Sequence, residues 1–196
     1  MSIKGTKTTT SFIEWDQFKS LISKLERDKE YKFCLLISVG VFSALRISDI
    51  LSLKYVDLLD KEILLITEKK TKKVRSIKIN SDLQQILKRI FNESKILDPN
   101  QLIFINRFGN KAIDKNYVNV KLKEIFKKYN VKTNGNISSH TFRKTLGRRV
   151  MEQHDYSNQY LILLSELFNH AAPSVTRRYL GIHDKEIHDI YDSISL

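Results

Sequence analysis

The residues of this sequence that could carry out chemistry are cations, histidines and tyrosines grouped in four short segments. The segments are 44–53, 69–78, 138–145 and 167–179. Guanidinium, ammonium and imidazole groups donate hydrogen bonds to phosphate oxygens and stabilise negative charge on them. A tyrosine hydroxyl can serve as a nucleophile. Together these residues form the inventory expected for chemistry on a phosphodiester without a metal ion.

Signatures of several other chemistries are absent from the sequence. It contains no G-x-G-x-x-G loop, no G-x-x-x-x-G-K-[ST] loop, no H-E-x-x-H motif and no pair of cysteines for zinc. His183 and His188 lie five residues apart on a predicted terminal helix, but no third ligand accompanies them in the sequence. We therefore expect neither a metal ion nor a cofactor.

The first two segments place cations where an apolar helix ends and on a hairpin. Asp49 follows Arg46 by three residues, so on a helix its carboxylate could hold the guanidinium and leave other N–H donors for phosphate. Six of the ten residues at 69–78 are basic and none is acidic, and such a hairpin could enter a DNA groove. Taken alone, each segment has a simpler interpretation: a surface ion pair for Arg46 and Asp49, and a solvated turn for the basic hairpin.

The other two segments combine histidines with an arginine and a tyrosine. His140 and Arg143 lie three residues apart at the start of a predicted helix, where unpaired backbone N–H groups favour an anion. His170 precedes Tyr179 by nine residues, across a helix end, a turn and a second helix. In isolation, a chance H-x-x-R match and a core tyrosine are the alternatives.

Apolar periodicity predicts the elements that must position these residues. Helices are expected at 14–25, 28–43, 81–91, 114–129, 141–153, 158–168, 173–180 and 184–194, and 44–53 also has one apolar face. The runs 62–67 and 74–79 form a predicted hairpin, and 102–105 could add a third short strand. The predicted fold class is mainly α with a small antiparallel β-sheet (α+β), in a single domain at 12–196 after a flexible tail at 1–11.

The charge balance favours a polyanionic partner. The 196 residues include 34 Lys and Arg against 22 Asp and Glu, which gives a formal net charge of +12. An excess of this size in a small chain indicates nucleic acid first and an anionic membrane surface second. Hydrophobic residues make up 41% and charged residues 29%, a globular balance that excludes a disordered or disulfide-stapled chain.

Targeting signals are absent as well. No apolar run reaches the ~18 to 20 residues of a membrane span, and residues 1–11 lack the apolar stretch of a signal peptide. The single cysteine, Cys34, lies in an apolar stretch and is expected to be buried and reduced. These features predict a cytoplasmic protein that associates with the nucleoid when bound to DNA.

In order and spacing, the four segments resemble the catalytic domain of the tyrosine recombinase, or phage-type integrase, family. The family pattern A/G-L-R-x-S-E/D-L resembles residues 44–50, and a hairpin lysine, H-x-x-R and a histidine nine residues before the nucleophilic tyrosine follow. The matching positions are Arg46, Lys70, His140, Arg143, His170 and Tyr179. The resemblance spans about residues 12–190.

The resemblance implies the tyrosine recombinase catalytic-domain fold and site-specific cutting and rejoining of DNA through a 3′-phosphotyrosyl intermediate, without metal or ATP. Tyr179 would then be the nucleophile, and Lys70 would be the general acid, although neighbouring hairpin lysines are not separated securely. Arg46, Arg143 and His170 would stabilise charge on the phosphate. The resemblance also makes His140 a base or positioning residue and Asp49 a support for the site.

The expected partner is double-stranded DNA, with self-assembly on it into a dimer or tetramer. The cations expected to contact DNA are Lys69, Lys72, Lys73, Arg75, Lys144, Arg177 and Arg178. An apolar stripe on the C-terminal helix within 184–196 is expected to mediate the assembly, since the tail commonly docks on a neighbouring protomer in the family resembled. Packing of that stripe on its own core is the alternative.

Three departures from the family pattern stand out. Asn169 replaces the glycine of L-G-H, and we expect asparagine to tolerate the left-handed backbone there. Lys144 stands where a second histidine is frequent. Larger members carry an N-terminal DNA-clamping domain that this sequence does not contain, so it resembles short catalytic-only members or is part of a longer protein.

Two other functions are compatible with the same features. A DNA-binding regulator could keep the fold without the chemistry, and a type IB topoisomerase shares the tyrosine chemistry but relaxes supercoils without paired sites. A regulator would have no need for all six matched site residues. Their joint presence therefore favours an enzyme.

Overall fold

The computed structural model describes residues 10–109, 111–182 and 190–194. Two compact units make up the chain, Met1–Arg143 and Lys144–Leu196. Thr10 forms a bridge with Asn136, and the Ser11 N–H donates to the Asn136 carbonyl at 2.8 Å. Thr10 and Ser11 are the last two residues of the tail predicted at 1–11, and the rest of that predicted tail lies outside the described residues.

The first unit contains six complete helices and two strands among its described residues. The helices are α1 (Trp15–Arg27), α2 (Tyr31–Ser43), α3 (Ile47–Ile50), α4 (Tyr55–Leu58), α5 (Ser81–Glu93) and α6 (Lys115–Lys128). The strands are β1 (Ile63–Thr67) and β2 (Val74–Lys78). Side-chain caps fix two helix starts, because Asn80 accepts from the Asp82 N–H and Asp114 from the Asn116 N–H.

Helix α2 forms the centre of the first unit. Ten of its thirteen residues are buried, including Cys34 as expected. A Cβ at Gly40 would lie 2.3 Å from the Phe142 ring, so the absence of a side chain there permits a close approach. The helix ends at Ala44, which is buried and adopts the left-handed conformation with φ 50°.

This left-handed residue shortens the helix that follows. Arg46 is extended (φ −71°, ψ 149°) and serves as the N-cap of α3, which has only four residues. The apolar face noted at 44–53 therefore belongs to one helical turn and its flanks rather than to a longer helix.

The sheet is a single antiparallel hairpin within the described residues. Ile63 pairs with Lys78 and Thr67 with Val74, which confirms the predicted hairpin and places 68–73 at its turn. The third strand predicted at 102–105 is wrong. This segment makes only isolated bridges, Lys54 with Leu102 and Ile105 with Ala112, because its two ends pair with different partners and no continuous ladder forms.

The second unit contains the remaining helices of the described part. Helix α7 (His140–Gln153) begins in the first unit and continues into the second, followed by α8 (Asn158–Phe168) and α9 (Pro173–Tyr179). Asn169 caps α8 with φ 53° and ψ 50°, so the expected left-handed asparagine is confirmed. Pro173 occupies the first turn of α9, where its missing N–H costs nothing.

The C-terminal helix predicted at 184–194 lies mostly outside the described residues. Of its apolar stripe, the structure describes Ile190, Tyr191 and Ile194, and all three side chains are exposed. Among the described residues, no helix is both long enough and apolar enough to cross a membrane.

Candidate active site

A pocket of about 230 Å³ in the first unit brings together four of the six predicted catalytic residues. These are Arg46, Lys70, His140 and Arg143. They come from the start of α3, the hairpin turn and the start of α7, so the pocket exists only in the folded unit. Its lining also includes Lys115 at the first position of α6, a cation that the sequence analysis did not single out.

The partner of Arg46 differs from the expectation. Its Nη1 donates to Glu68 Oε2 at 2.6 Å, and the predicted pairing with Asp49 is wrong. Arg46 is the N-cap of α3 and has an extended backbone rather than the helical one that the three-residue spacing assumed, and its guanidinium reaches Glu68 instead. Asp49 is buried, and its Oδ1 accepts from the Lys69 N–H at 2.9 Å. Asp49 therefore supports the hairpin rather than the guanidinium.

Glu68 holds two arginines beside the pocket, and the sequence did not single it out. Its carboxylate is 2% exposed and accepts from Arg46, from the Thr71 hydroxyl at 2.7 Å and from Arg75 Nη1 at 3.1 Å. Burial alone would raise the pKa of Glu68, but the hydrogen bonds from Thr71, Arg75 and Arg46 outweigh it and hold the pKa below its usual value. The sequence signal was a single carboxylate at the base of a strongly basic hairpin.

The hairpin turn places Lys70 at the pocket. Backbone bonds close the turn, since the Glu68 N–H donates to the Lys73 carbonyl and the Lys72 N–H to the Glu68 carbonyl, each at 2.9 Å. Lys72 takes a left-handed conformation with φ 58°. Among the four hairpin lysines, Lys70 is the member of the pocket lining.

The start of α7 supplies the other two pocket residues. The Ser138 hydroxyl accepts from the His140 N–H at 3.2 Å, and the Ser138 N–H donates to the Thr141 hydroxyl at 3.2 Å. These reciprocal bonds fix the first turn, in the manner of a capping box. His140 is exposed and Arg143 is 5% exposed, so the imidazole meets solvent at the pocket while the guanidinium is enclosed.

In the second unit, the structure brings His170 and Tyr179 together. Their ring centroids lie 5.1 Å apart in an edge-on arrangement, and the Phe168 ring lies within 5.8 Å of Tyr179. His170 Nδ1 lies 2.8 Å from the hydroxyl of Thr176, which is fully buried in α9. This bond fixes the orientation of the imidazole, and Thr176 is a second residue that the sequence analysis missed.

Lys144 contacts the tyrosine ring. Its side chain is buried, and Nζ lies 5.2 Å from the centroid of the Tyr179 ring, a cation–π geometry. Burial lowers the pKa of Lys144, and the positive charge of Arg148 lowers it further. The structure therefore places Lys144 beside the tyrosine, and its contact with DNA stays a prediction.

The other predicted DNA-contact residues divide by exposure. Arg75 is tied to the buried Glu68, with 18% of its side chain exposed. The more accessible cations are Lys69, Lys72, Lys73 and Arg178, with Arg177 half-buried.

Comparison with known proteins places the whole pattern in a family. The phage integrase family model matches residues 11–186. Probable integrase/recombinase YoeC of Bacillus subtilis is 34% identical over 164 residues, which are 84% of this chain and 82% of YoeC. Tyrosine recombinase XerC of Chlamydia trachomatis serovar L2 is 28% identical over 188 residues, which cover 90% of this chain and 56% of XerC.

A solved structure shows the same fold. The XerH site-specific recombinase, bound to palindromic difH substrate in a post-cleavage complex, matches with a TM-score of 0.68 at 19% identity. The match covers 95% of this chain and 54% of the XerH chain, so the chain spans about half the length of XerC and XerH. The expected mainly α fold with a small sheet is confirmed. With a family match over most of its length, the chain belongs to the phage integrase family.

Proposed function

We propose that this protein cuts and rejoins DNA at specific sites by transesterification, with Tyr179 as the nucleophile. The observation that carries the proposal is the pocket that collects Arg46, Lys70, His140 and Arg143 from three separate segments. Two guanidinium groups, an ammonium group and an imidazole in one pocket supply several hydrogen-bond donors for the oxygens of a phosphodiester. Family membership and the His170–Tyr179 pair support the same conclusion.

The proposed reaction conserves bond energy. The Tyr179 hydroxyl oxygen attacks phosphorus and forms a 3′-phosphotyrosyl bond, while the bond from phosphorus to the 5′-oxygen breaks. Lys70 donates a proton to the departing 5′-oxygen as general acid. A free 5′-hydroxyl, on the same strand or a new one, then attacks the phosphotyrosyl phosphorus and releases Tyr179. No ATP is consumed.

In this proposal, arginine and histidine side chains stabilise the negative charge that develops on the phosphate. Arg46 and Arg143 donate to the non-bridging oxygens, and His170 donates one more hydrogen bond. Removal of one such donor typically slows a reaction by about 10²- to 10³-fold. His140, exposed at the start of α7, acts as base or positioning residue for the tyrosine proton.

We propose double-stranded DNA as the partner, bound mainly through backbone phosphates. The net charge of +12 and the exposed hairpin lysines support this. Each phosphate contact releases counterions, so affinity should fall steeply as the salt concentration rises. The exposed Ile190, Tyr191 and Ile194 support assembly of several protomers on DNA through the C-terminal segment.

The experiment that tests the function is covalent trapping on a nicked duplex that carries candidate recombination sites. Wild-type protein should form a covalent adduct that denaturing electrophoresis detects. Tyr179→Phe should abolish the adduct while DNA affinity stays within a few fold, because only the nucleophilic oxygen is removed. Tyr160→Phe, at a tyrosine of α8 that stacks on His154 in the same unit, is the matched control. An adduct with Tyr179→Phe would move the nucleophile elsewhere.

A second assay separates the alternatives and tests assembly. A protein that relaxes supercoiled DNA without paired sites would act as a topoisomerase, and one that binds without any adduct would be a regulator. Deletion of residues 184–196 should leave binding to a single half-site and remove recombination of paired sites. Normal recombination by the shortened protein would exclude a role for the tail in assembly.

A further inference from the structure

Glu68 is the most strongly coordinated buried carboxylate among the described residues near the pocket. One oxygen, Oε2, accepts from Arg46 at 2.6 Å and from Thr71 at 2.7 Å, and the other accepts from Arg75 at 3.1 Å. The three donors come from the start of α3, the hairpin turn and strand β2. One side chain therefore joins three segments that are separate in sequence.

The Arg46 bond affects how the guanidinium can meet a phosphate. A guanidinium carries five N–H donors in one plane, and Glu68 accepts from Nη1. An anchored plane turns its remaining donors in a fixed direction, whereas an unanchored arginine samples many rotamers. Because Arg46 also lines the pocket, its anchor sets the direction in which it presents donors there.

The Thr71 bond acts on the hairpin turn that carries Lys70. On one side of Lys70, the Lys69 N–H donates to Asp49 Oδ1 at 2.9 Å. On the other side, the Thr71 hydroxyl donates to Glu68 at 2.7 Å. Lys70 is therefore flanked by two ties to buried carboxylates, although its own side chain is exposed.

We infer that Glu68 is a positioning residue that holds the Arg46 phosphate clamp and the Lys70 turn in one arrangement. The inference rests on the proposed function, because it assigns Glu68 to the geometry of that reaction. Glu68 itself touches no reacting atom. A misplacement of about 1 Å in a catalytic group can cost about 10²-fold in rate, so the loss of Glu68 should slow cleavage without a comparable loss of DNA affinity.

Two substrates separate the effects on the arginine and on the lysine. A nicked duplex with a normal 5′-oxygen needs the general acid, whereas a duplex with a 5′-bridging sulfur has a leaving group that needs no proton. Cleavage rates under single-turnover conditions and dissociation constants are measured on both. Thr71→Val removes a hydroxyl that donates to Glu68 and also accepts from the Lys73 N–H at 3.4 Å, both within the turn. The Arg46 anchor stays in place, so the sulfur substrate should restore the rate of this variant.

The Glu68 variants should show a different pattern. Glu68→Ala should lose about 10²-fold on the oxygen substrate and recover only in part with sulfur, because Arg46 has also lost its anchor. Glu68→Gln keeps the size of the side chain but turns an amide N–H₂ towards an arginine, and about a tenfold loss is expected. Glu62→Gln, at an exposed carboxylate just before β1, is the control and should cleave normally.

The outcomes are distinguishable from failure of the proposed function. If wild-type protein forms no adduct on any substrate, the proposed reaction itself is wrong. If wild-type protein cleaves and Glu68→Gln cleaves at the same rate, the inference about Glu68 is overturned and the reaction stands. Equal slowing of Thr71→Val on both substrates would also overturn it. Should Glu68→Ala fail to fold, as thermal unfolding would show, Glu68→Gln and Thr71→Val still decide the question.

Discussion

Gly147 lies in α7 at a point where any side chain would press on the residues around the proposed nucleophile. A Cβ at this position would meet Leu180 Cδ2 at 2.6 Å and the Phe168 ring at 3.1 and 3.2 Å. Leu180 is 1% exposed and follows Tyr179, while Phe168 is fully buried and its ring lies 5.8 Å from that of Tyr179. Gly147→Ala is therefore a small change with a predictable direction.

The size of the effect follows from these distances. Ordinary contact begins near 3.4 Å, so the Leu180 methyl group must retreat by about 0.8 Å and the Phe168 ring by a few tenths. Overpacking of this kind costs about 1–3 kcal/mol. The better helix propensity of alanine returns up to about 1 kcal/mol. We expect a net loss of about 1 kcal/mol in the free energy of unfolding.

The rate of adduct formation should fall by more than the loss in the free energy of unfolding would explain. Leu180 and Phe168 can yield only by moving, and both adjoin Tyr179, so we expect adduct formation to slow by about tenfold or more. Urea unfolding gives the stability and covalent trapping gives the rate. Ile22→Val in the core of the first unit should cost about 0.5–1.5 kcal/mol and leave the rate unchanged, which makes it the control. Gly147→Ala with wild-type stability and wild-type rate would refute the reasoning.

Three further predictions follow from buried ionisable groups. Lys144→Met should leave the urea midpoint of unfolding unchanged or raise it. The variant loses a cation–π contact of about 0.5–2 kcal/mol, but it also removes a buried charge, which offsets that loss. Adduct formation should slow, because the side chain beside Tyr179 has changed. Burial, with a contribution from the charge of Glu26, raises the pKa of the Cys34 thiol to about 12, so a thiol reagent at about pH 8 should react only after denaturation, and fast labelling of native protein would contradict this. The pKa of Glu68 is lower in the folded protein than its ordinary value of 4.5, so the ionised carboxylate stabilises the fold above pH 4.5. This stabilisation is lost as the pH falls through the pKa of the folded state. On acidification, the free energy of unfolding in urea should therefore fall more for wild-type protein than for Glu68→Gln.

Much of the fold could be predicted because it depends on local patterns. Apolar residues at helical spacing located α1, α5, α6 and α8 to within a few residues. The left-handed Asn169 was also foreseen from its side chain. These features depend on residues close together in the sequence.

The errors arose where distant residues decide the conformation. The bridges at 102–105 are formed with two different segments, which no local pattern reveals. The apolar face expected at 44–53 is helical only at Ile47–Ile50, because Ala44 is left-handed and Arg46 is extended. Alanine gives no signal for the left-handed conformation.

The candidate site shows the same division. The spacing of Arg46, Lys70, His140 and Arg143 pointed to the residues that the folded unit collects in one pocket. The carboxylate beneath them was not foreseen, because Glu68 lies 22 residues from Arg46 in the sequence and their contact requires the hairpin to fold back on α3. Side chains that act on a ligand leave a recognisable spacing, whereas those that hold them in place depend on tertiary contacts.

Helix α9, which ends at Tyr179, differs from α2 in how its stability arises. Helix α2 contributes ten buried residues, whereas the seven residues of α9 contribute Thr176. A helix of two turns is unstable by itself, so we expect local opening of α9 to require less free energy than global unfolding. Its amide protons should therefore exchange with solvent long before those of α2. The proposed nucleophile thus belongs to a segment that can open and close many times within the lifetime of the folded protein.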